Sequence, residues 1–363
     1  MPLLNNLVGA CNSILGYMAD VQAPNYAFTL GKKLGYLDYI TSGLNISMTN
    51  PTMTQMKSNG KIKRVELIYS QRTKDDVIKT GQAAMDASLC DNVETFEEKN
   101  DIVEIDNRIA TRVLSFSNEQ LNEICENPRA FMDKYIFQEM QAGREKLDKV
   151  LLAETDAAAG KIIGHDGTIT ADPGAGAGKP IKLIAVTTEG DRKPLFGPWG
   201  TVGLDYTNME LNGTPAIIGQ GISYEFMQLA RWSCCNSAIP FDDAVALAGY
   251  AYFLDQNVNA VMGNNEFLVI APGSQILLTY NENVNIGINT ETNRHIVVQD
   301  PLYPGLKWDV DFRWNECDKA WNTFLSVWFK LYNTFQDDSF NCSGVADRLC
   351  GMTGIFKYIA TAA

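Results

Sequence analysis

Histidine is nearly absent from this chain: His165 and His295 are the two imidazoles in 363 residues. That scarcity, with no C-x-x-C pair to compensate, rules out the usual cysteine–histidine zinc sets. The eight cysteines are scattered, and Cys234 and Cys235 are adjacent, an awkward spacing for a mutual disulfide or a tetrahedral metal site. They read as reduced, buried thiols of an intracellular protein. Positive charge is also short. Thirty Lys and Arg face 43 Asp and Glu, a formal net charge of −13, and the densest basic stretch is KIKR at 61–64. A surface whose main task is gripping nucleic-acid phosphates needs more than that. No Lys or Arg precedes Lys32, so the charged start of a signal peptide is missing. No apolar run approaches the roughly 20 residues of a membrane span. The expectation is a soluble, cytoplasmic product without cofactor or metal.

Catalytic signatures are missing as well. Neither G-x-S-x-G nor H-E-x-x-H occurs. The stretch DPGAGAGKP at 172–180 ends in Gly178-Lys179 and superficially resembles a phosphate-binding loop. Such a loop needs G-x-x-x-x-G-K-[ST], but Pro173 stands at the first glycine and Pro180 at the hydroxyl that would hold magnesium. It reads as a Gly/Ala loop. Paired carboxylates occur at Asp75-Asp76, Glu97-Glu98, Asp242-Asp243 and Asp337-Asp338. Asp242-Asp243 falls in the first turn of an expected helix, where the dipole favours it, and Asp337-Asp338 reads as a turn after a strand. Asp309 and Asp311 share one strand face and have the spacing to share a cation or a proton. Lys307 and Arg313 flank them there, and a charge-matched solvent face or intersubunit contact is the plainer reading. The C-terminal aromatics, Trp308, Trp314, Trp321, Trp328, Phe329 and Tyr332, lack the surrounding cations of a base-stacking platform and read as core.

What the chain does have is a layout. Leu4, Leu7, Cys11, Ile14, Leu15 and Met18 recur at helical spacing in an N-terminal arm. This stripe either packs on its own chain or lies across a neighbouring subunit. Residues 61–69 and 101–116 alternate apolar with charged side chains, the period of half-buried antiparallel strands. Between them runs a polar tip carrying Lys74, Asp75, Asp76, Glu97 and Glu98. A two-stranded ribbon of that length is marginal alone and must lie against something. Ser117-Asn-Glu-Gln120 has the form of a capping box. Asn127-Pro128 then starts a helix whose stripe of Phe131, Tyr135, Ile136, Met140, Leu147, Val150 and Leu151 runs to about residue 159, with Gly160 as stop. Its expected length is about 45 Å.

Residues 161–219 are rich in Gly, Pro and Thr, with a strand expected near 180–186. Helices are expected at 224–234 and 241–257, and strands at 266–272 and 275–280. The tail is again strand-like, at 307–314 with Trp308, Val310, Phe312 and Trp314 on one face, then at 323–335 and 354–359. Helices among strands in this pattern give a mixed, α+β chain.

The order of parts resembles a tailed-bacteriophage major capsid protein with the Hong Kong phage capsid fold. The likeness rests chiefly on FSNEQLNEI at 116–124 running through NPRAF at 127–131 to LDKVLLAE at 147–154, and on the strand pair of 307–332. It implies an N-terminal arm at 1–60, an extended β-hairpin loop at 61–116, and a peripheral domain with a spine helix at 117–160. An axial domain follows at 161–305, and return strands of the peripheral domain at 306–363. It further implies no catalysis, hexameric and pentameric capsomers of one chain, and an icosahedral shell around double-stranded DNA. Portal, scaffolding or decoration proteins are possible partners, and the host bacterial cytoplasm is the place of assembly. The arm stripe and the hairpin-tip charges are then intersubunit candidates. Two rivals stay open: an encapsulin-like compartment shell with the same fold, and a metabolic α/β enzyme built on 161–305 around Asp242 or His295.

Overall fold

The structure, a computed structural model, describes residues 33–42, 46–49, 55–56, 63–70, 98–117, 119–120, 135–163, 169–170, 178–186, 192–194, 197–209, 211, 213–220, 249–263, 265–281, 293–303, 305–334 and 353–362. In chain order, helix α1 (Gly35–Thr41) precedes β1 (Ile46–Thr49), β2 (Gln55–Met56), β3 (Lys63–Ser70), β4 (Glu98–Glu104), β5 (Asn107–Ala110) and β6 (Leu114–Phe116). The long helix α2 (Phe137–Ala157) leads to β7 (Ile162–Ile163), β8 (Ile169–Thr170), β9 (Lys179–Val186), β10 (Arg192–Pro194) and helix α3 (Gly197–Asn208). Then come β11 (Ala216–Gly219), β12 (Ala251–Leu254), the one-turn α4 (Val258–Val261), β13 (Glu266–Ile270) and β14 (Gln275–Tyr280). β15 (Asn293–Gln299), β16 (Lys307–Asn315), β17 (Ala320–Asn333) and β18 (Ile355–Ala362) complete it.

These strands form two main sheets. One has seven strands in the order β1-β14-β17-β16-β15, with β5 and β6 both pairing along the 14-residue β17. The other has six, in the order β10-β9-β18-β13-β11-β12. Strands β13 and β14 are neighbours in sequence yet belong to different sheets. Between them Pro272-Gly273 turns the chain, and Gly273 takes φ 73°, which a β-carbon would strain.

Helix α2 follows its sequence. Phe137, Met140, Gly143, Leu147, Leu151 and Leu152 are buried on one stripe and pack, with α1, against Trp308, Val310, Phe312, Leu325, Val327 and Phe329 of the seven-stranded sheet. Its 21 described residues span roughly 31 Å, and the expected start at Asn127-Pro128 lies outside the described residues. The six-stranded sheet is buried on both faces. Ile218, Leu268, Ile270 and Ile355 join this main core, while Ile217, Phe267, Val269, Phe356 and Tyr358 form a second core under α3. Burial on both sides explains continuous apolar runs such as EFLVI in β13.

The expected ribbon is present at its root. β3 and β4 pair antiparallel from Arg64↔Glu104 to Ser70↔Glu98, and Val65, Val103 and Ile105 pack on Ile276, Leu278, Tyr280 and Tyr332 of the seven-stranded sheet. The capping box also forms: Ser117 N–H donates to Gln120 Oε1 (2.9 Å) and Gln120 N–H to Ser117 Oγ (3.3 Å).

Several expectations are corrected. Residues 101–116 are not one strand: the ribbon strand ends at Glu104, and β5 and β6 leave it to pair with β17. The helix expected over 241–257 fails at its end, where AYFL forms β12, parallel to β11. Aromatic strand preference and a partner edge outweigh the small-residue pattern there; residues 221–248, with the helix expected at 224–234, lie outside the described set. Helix α3 occupies a stretch expected to hold loop and short strands, because burial of Val202, Tyr206 and Met209 on one face overrides Gly197, Gly200 and Gly203. By contrast, α2 ends as expected: it stops at Ala157, close to Gly160, whose N–H pairs with the carbonyl of Ile355 (2.9 Å). Residues 35–41 and 46–49, expected in the arm, instead hold a largely buried helix and a strand of the seven-stranded sheet. The last strand, expected with the peripheral return, lies in the middle of the six-stranded sheet.

Candidate functional site

Four charged side chains sit on the buried stripe of α2, and each meets a partner from a distant part of the chain. Glu139 pairs with Arg112. Arg144 Nε donates to Asp300 Oδ2 (2.7 Å), with both side chains almost entirely excluded from solvent. Asp300 is saturated further: Oδ2 accepts from Trp308 Nε1 (2.9 Å), and Oδ1 from the N–H groups of Leu302 (2.9 Å) and Tyr303 (3.2 Å). Asp156 pairs with Lys357 of β18 (2.8 Å), which also reaches Glu266 of β13 (2.9 Å). Burial disfavours the Lys357 ammonium, but hydrogen bonds to those two carboxylates more than offset it and raise its pKa.

The fourth, Asp148, belongs to a joint around α1. That helix has no capping side chain of its own at Leu34. Its first-turn N–H groups are capped from elsewhere: Tyr36 N–H donates to Asp255 Oδ2 (2.7 Å) and Leu37 N–H to Asp148 Oδ1 (3.1 Å). Asn257 closes the circuit, its side-chain amide on Asp148 Oδ2 (2.7 Å) and its backbone N–H on Asp255 Oδ1 (2.7 Å). Tyr36 adds hydroxyl contacts to Thr155 of α2 (2.6 Å) and Gln275 of β14 (3.0 Å). Gly35 lies so close to β12 that an added β-carbon would stand 2.4 Å from the Leu254 carbonyl oxygen. Helix α1 therefore joins the long helix to β12, an edge strand of the six-stranded sheet, and to β14 of the seven-stranded sheet. Burial, then the nearby Asp255 charge, pushes the Asp148 carboxyl up to about 8.

On the opposite face of the seven-stranded sheet, β15 and β16 bring His295 between two carboxylates. Its Nδ1 lies 2.8 Å from Asp311 Oδ1 and its Nε2 3.1 Å from Asp309 Oδ1. Burial opposes charging the ring, but the two hydrogen bonds and the two negative charges prevail and raise its pKa to about 9. The ring is an imidazolium at neutral pH, with both nitrogens donating, so it cannot serve as a general base. Arg108 of β5 lies 3.9 Å from Asp311, donates to Ser326 Oγ (2.9 Å), and stands over the rings of Phe324 and Trp328. The sequence placed Asp309 and Asp311 correctly on one face, and their pairing with His295 was not expected. The simpler reading of that face as solvent-exposed is corrected: Asp309 is 1% exposed and Asp311 8%.

The structure accounts for other candidates differently. Lys179, at the end of the supposed phosphate loop, begins β9 and gives its ammonium to buried Asp205 (2.6 Å). The arm residues Leu4, Leu7, Cys11, Ile14, Leu15 and Met18, the tip residues Lys74, Asp75, Asp76 and Glu97, and also His165, Cys234, Cys235, Asp242 and Asp243 lie outside the described residues. Glu98 opens β4 opposite Ser70. Among the described residues no cluster of His, Cys, Asp and Glu is arranged to hold a metal ion, and no helix is long and apolar enough to cross a membrane. The polar groups of α2 were missed in the sequence, although Arg144 and Asp148 fall four apart on the same stripe as Met140, Leu147 and Leu151.

No family model matches the chain, and no curated protein matches it in sequence. In three dimensions it is similar to the capsid of Ralstonia phage GP4, at 10% identity and a TM-score of 0.47, over 92% of this chain and 92% of that chain. A structure from Mycobacterium phage Adephagia has 10% identity and a TM-score of 0.45, over 94% of this chain and 95% of that one. The capsid of Myoviridae phage XM1 has 8% identity and a TM-score of 0.40, over 91% and 94%. The solved structures to which this chain is similar thus include bacteriophage capsids.

Proposed function

We propose that this chain is a structural shell protein, a major capsid protein of the tailed-phage kind, without enzymatic activity. The observation that carries the proposal is the ribbon of β3 and β4. Its root is anchored on the seven-stranded sheet through Val65, Val103 and Ile105, yet its strands stay registered over five further residue pairs beyond Val65↔Val103, from Glu66↔Ile102 to Ser70↔Glu98. β2 adds a third strand at the root, opposite Lys63 and Arg64. Among the described residues the ribbon beyond it is two-stranded and needs a surface to lie on, and a neighbouring copy supplies one. The charged pairing at its root, Arg64 with Glu104, suits contact with another polar surface, and the intervening sequence carries Lys74, Asp75, Asp76, Glu97 and Glu98 for the same purpose. The arm stripe from Leu4 to Met18 has a place to bury in the same way.

In this reading α2 and the seven-stranded sheet form the peripheral part and the six-stranded sheet with α3 the axial part. Copies associate as hexameric and pentameric capsomers of an icosahedral shell around double-stranded DNA. Portal, scaffolding or decoration proteins join during assembly in the host bacterial cytoplasm. The −13 charge per chain keeps such a shell from holding its DNA tightly.

Light scattering with negative-stain imaging of the purified chain across salt concentration tests the proposal. Capsomers, shells or tubes are expected as salt screens the repulsion between chains. A species that stays monomeric or dimeric at every salt concentration, alone and with a scaffolding partner, overturns it.

A further inference from the structure

The joint around α1 holds two carboxyl groups that form no ion pair with any cation among the described residues. Asp148 and Asp255 are 0% and 1% exposed, and they lie within hydrogen-bonding reach of each other. All four of their oxygens accept from N–H groups, those of Tyr36, Leu37 and Asn257. Among the described residues no Lys or Arg forms an ion pair with either. Arg144, one turn away on α2, is spent on Asp300. The remaining groups whose charge is felt here are Tyr36 on α1, with Tyr39 behind it, and Tyr303 and Asp300 on the β15–β16 connection. Burial pushes Tyr36, Tyr39 and Tyr303 upward, so they stay neutral. Asp300 is offset by its ion pair with Arg144, so the two together add no net charge to the surroundings. Two bare carboxylates side by side in such a place repel strongly and lack solvent to relieve it.

We infer that Asp148 and Asp255 share one proton in the native chain, and that this proton is the lock that holds α1 between the long helix and the β12–α4 connection. While it is present, one carboxyl donates to the other and both still cap α1. When it leaves, two like charges are confined against one helix start, and the first turn of α1 loosens. Tyr36 also links Thr155 on α2 and Gln275 on β14, so the loosening reaches the contact between the two sheets. Alkaline conditions release the joint and acidic conditions set it. In a shell, the relative setting of the two sheets would respond to pH, and that last consequence alone rests on the shell proposal.

The linkage has a definite sign. Asp148 keeps its proton in the folded chain to a higher pH, about 8, than in the unfolded chain. The folded state therefore binds more protons across the interval between the ordinary carboxylate range and that value, and stability falls as pH rises through it. Between about pH 5 and pH 6, where His295 is largely charged whether folded or not, the folding constant should fall by up to about tenfold per pH unit relative to an Asp148→Asn chain. Infrared spectroscopy of the full chain reads the proton directly. A carboxylic-acid band present at pH 6.5, lost by pH 9.5 and absent from Asp148→Asn at both is the expected result. Hydrogen exchange on the unaltered chain covers the case in which the variant does not fold. Protection of the Tyr36 and Leu37 amides, corrected for intrinsic base catalysis, should drop across the same interval while amides of β17 keep theirs. No acid band at pH 6.5, or Tyr36 and Leu37 amides that follow β17 throughout, overturns the inference. Neither measurement depends on assembly, so its failure is distinct from failure of the shell proposal.

Discussion

At the scale of single residues, two glycines and one histidine carry consequences that composition alone would hide. Gly143 sits in the middle of α2, where glycine costs about 1 kcal/mol relative to alanine. The structure shows what it accommodates: an added β-carbon would lie 2.7 Å from the Trp308 ring. Gly35 faces a harder neighbour, since the Leu254 carbonyl is backbone and cannot swing aside. Gly35→Ala is expected to lower stability by about 3 kcal/mol and Gly143→Ala by less, about 1–2 kcal/mol, because a tryptophan ring can shift. Urea midpoints of the two variants check the order. His295 makes a prediction about pH. Its pKa is raised to about 9 in the folded chain against about 6.5 unfolded. Its contribution to stability is complete below 6.5 and is lost as pH climbs to 9. His295→Gln should flatten the stability profile between those limits and leave it unchanged in shape below them. A profile that keeps its full slope above pH 6.5 would assign that slope to other groups.

At the scale of elements, α2 is the instructive case. Its apolar stripe was visible in the sequence because Met140, Leu147 and Leu151 repeat with the helical period. The same periodicity placed Arg144, Asp148 and Asp156 on the buried face, but a charge inside a stripe looks like an interruption until its partner is known. Those partners come from positions 109 to 201 residues away, Asn257 and Lys357 being the extremes, and no local pattern encodes them. The expected outcome of Arg144→Met is a loss of about 3–5 kcal/mol, the usual cost of leaving a buried charge unpaired. Asp300→Ala should cost more than that. It strands Arg144 and three further donors, the backbone N–H groups of Leu302 and Tyr303 and the Trp308 indole. Equal costs in calorimetry would show that the carboxylate's other bonds contribute little. Strand faces were legible for a similar reason. The alternation in β16 sorted tryptophans from aspartates correctly, whereas the meeting of His295 with both aspartates depends on a register set by the β15–β16 connection.

At the scale of the whole molecule, what the sequence could not reveal was which sheet each strand joins. β13 and β14 read alike and are separated by a single turn, yet they diverge into different sheets. β18 reads as an ordinary last strand, and it sits between β9 and β13, parallel to one and antiparallel to the other. Its Lys357 meets Asp156 and Glu266, and its Tyr358 hydroxyl contacts Asp205 (3.3 Å). A chain truncated before residue 353 should therefore lose the six-stranded sheet while the elements of the seven-stranded sheet are all still encoded. Limited proteolysis is expected to cut such a chain within 161–270 and to leave 293–334 protected. Uniform digestion of both regions would mean that neither sheet stands without the other.

The central position of β18 also bears on the order in which the molecule is made. During translation, β9 leaves the ribosome long before β13, and nothing pairs the two until residues 355–362 emerge. One half of the six-stranded sheet must wait with an open edge for the whole interval in which the seven-stranded sheet can already close. The nascent chain thus passes through a half-built subunit with one sheet formed and the other pending. Any association between copies that relies on the second sheet is withheld until β18 has been made.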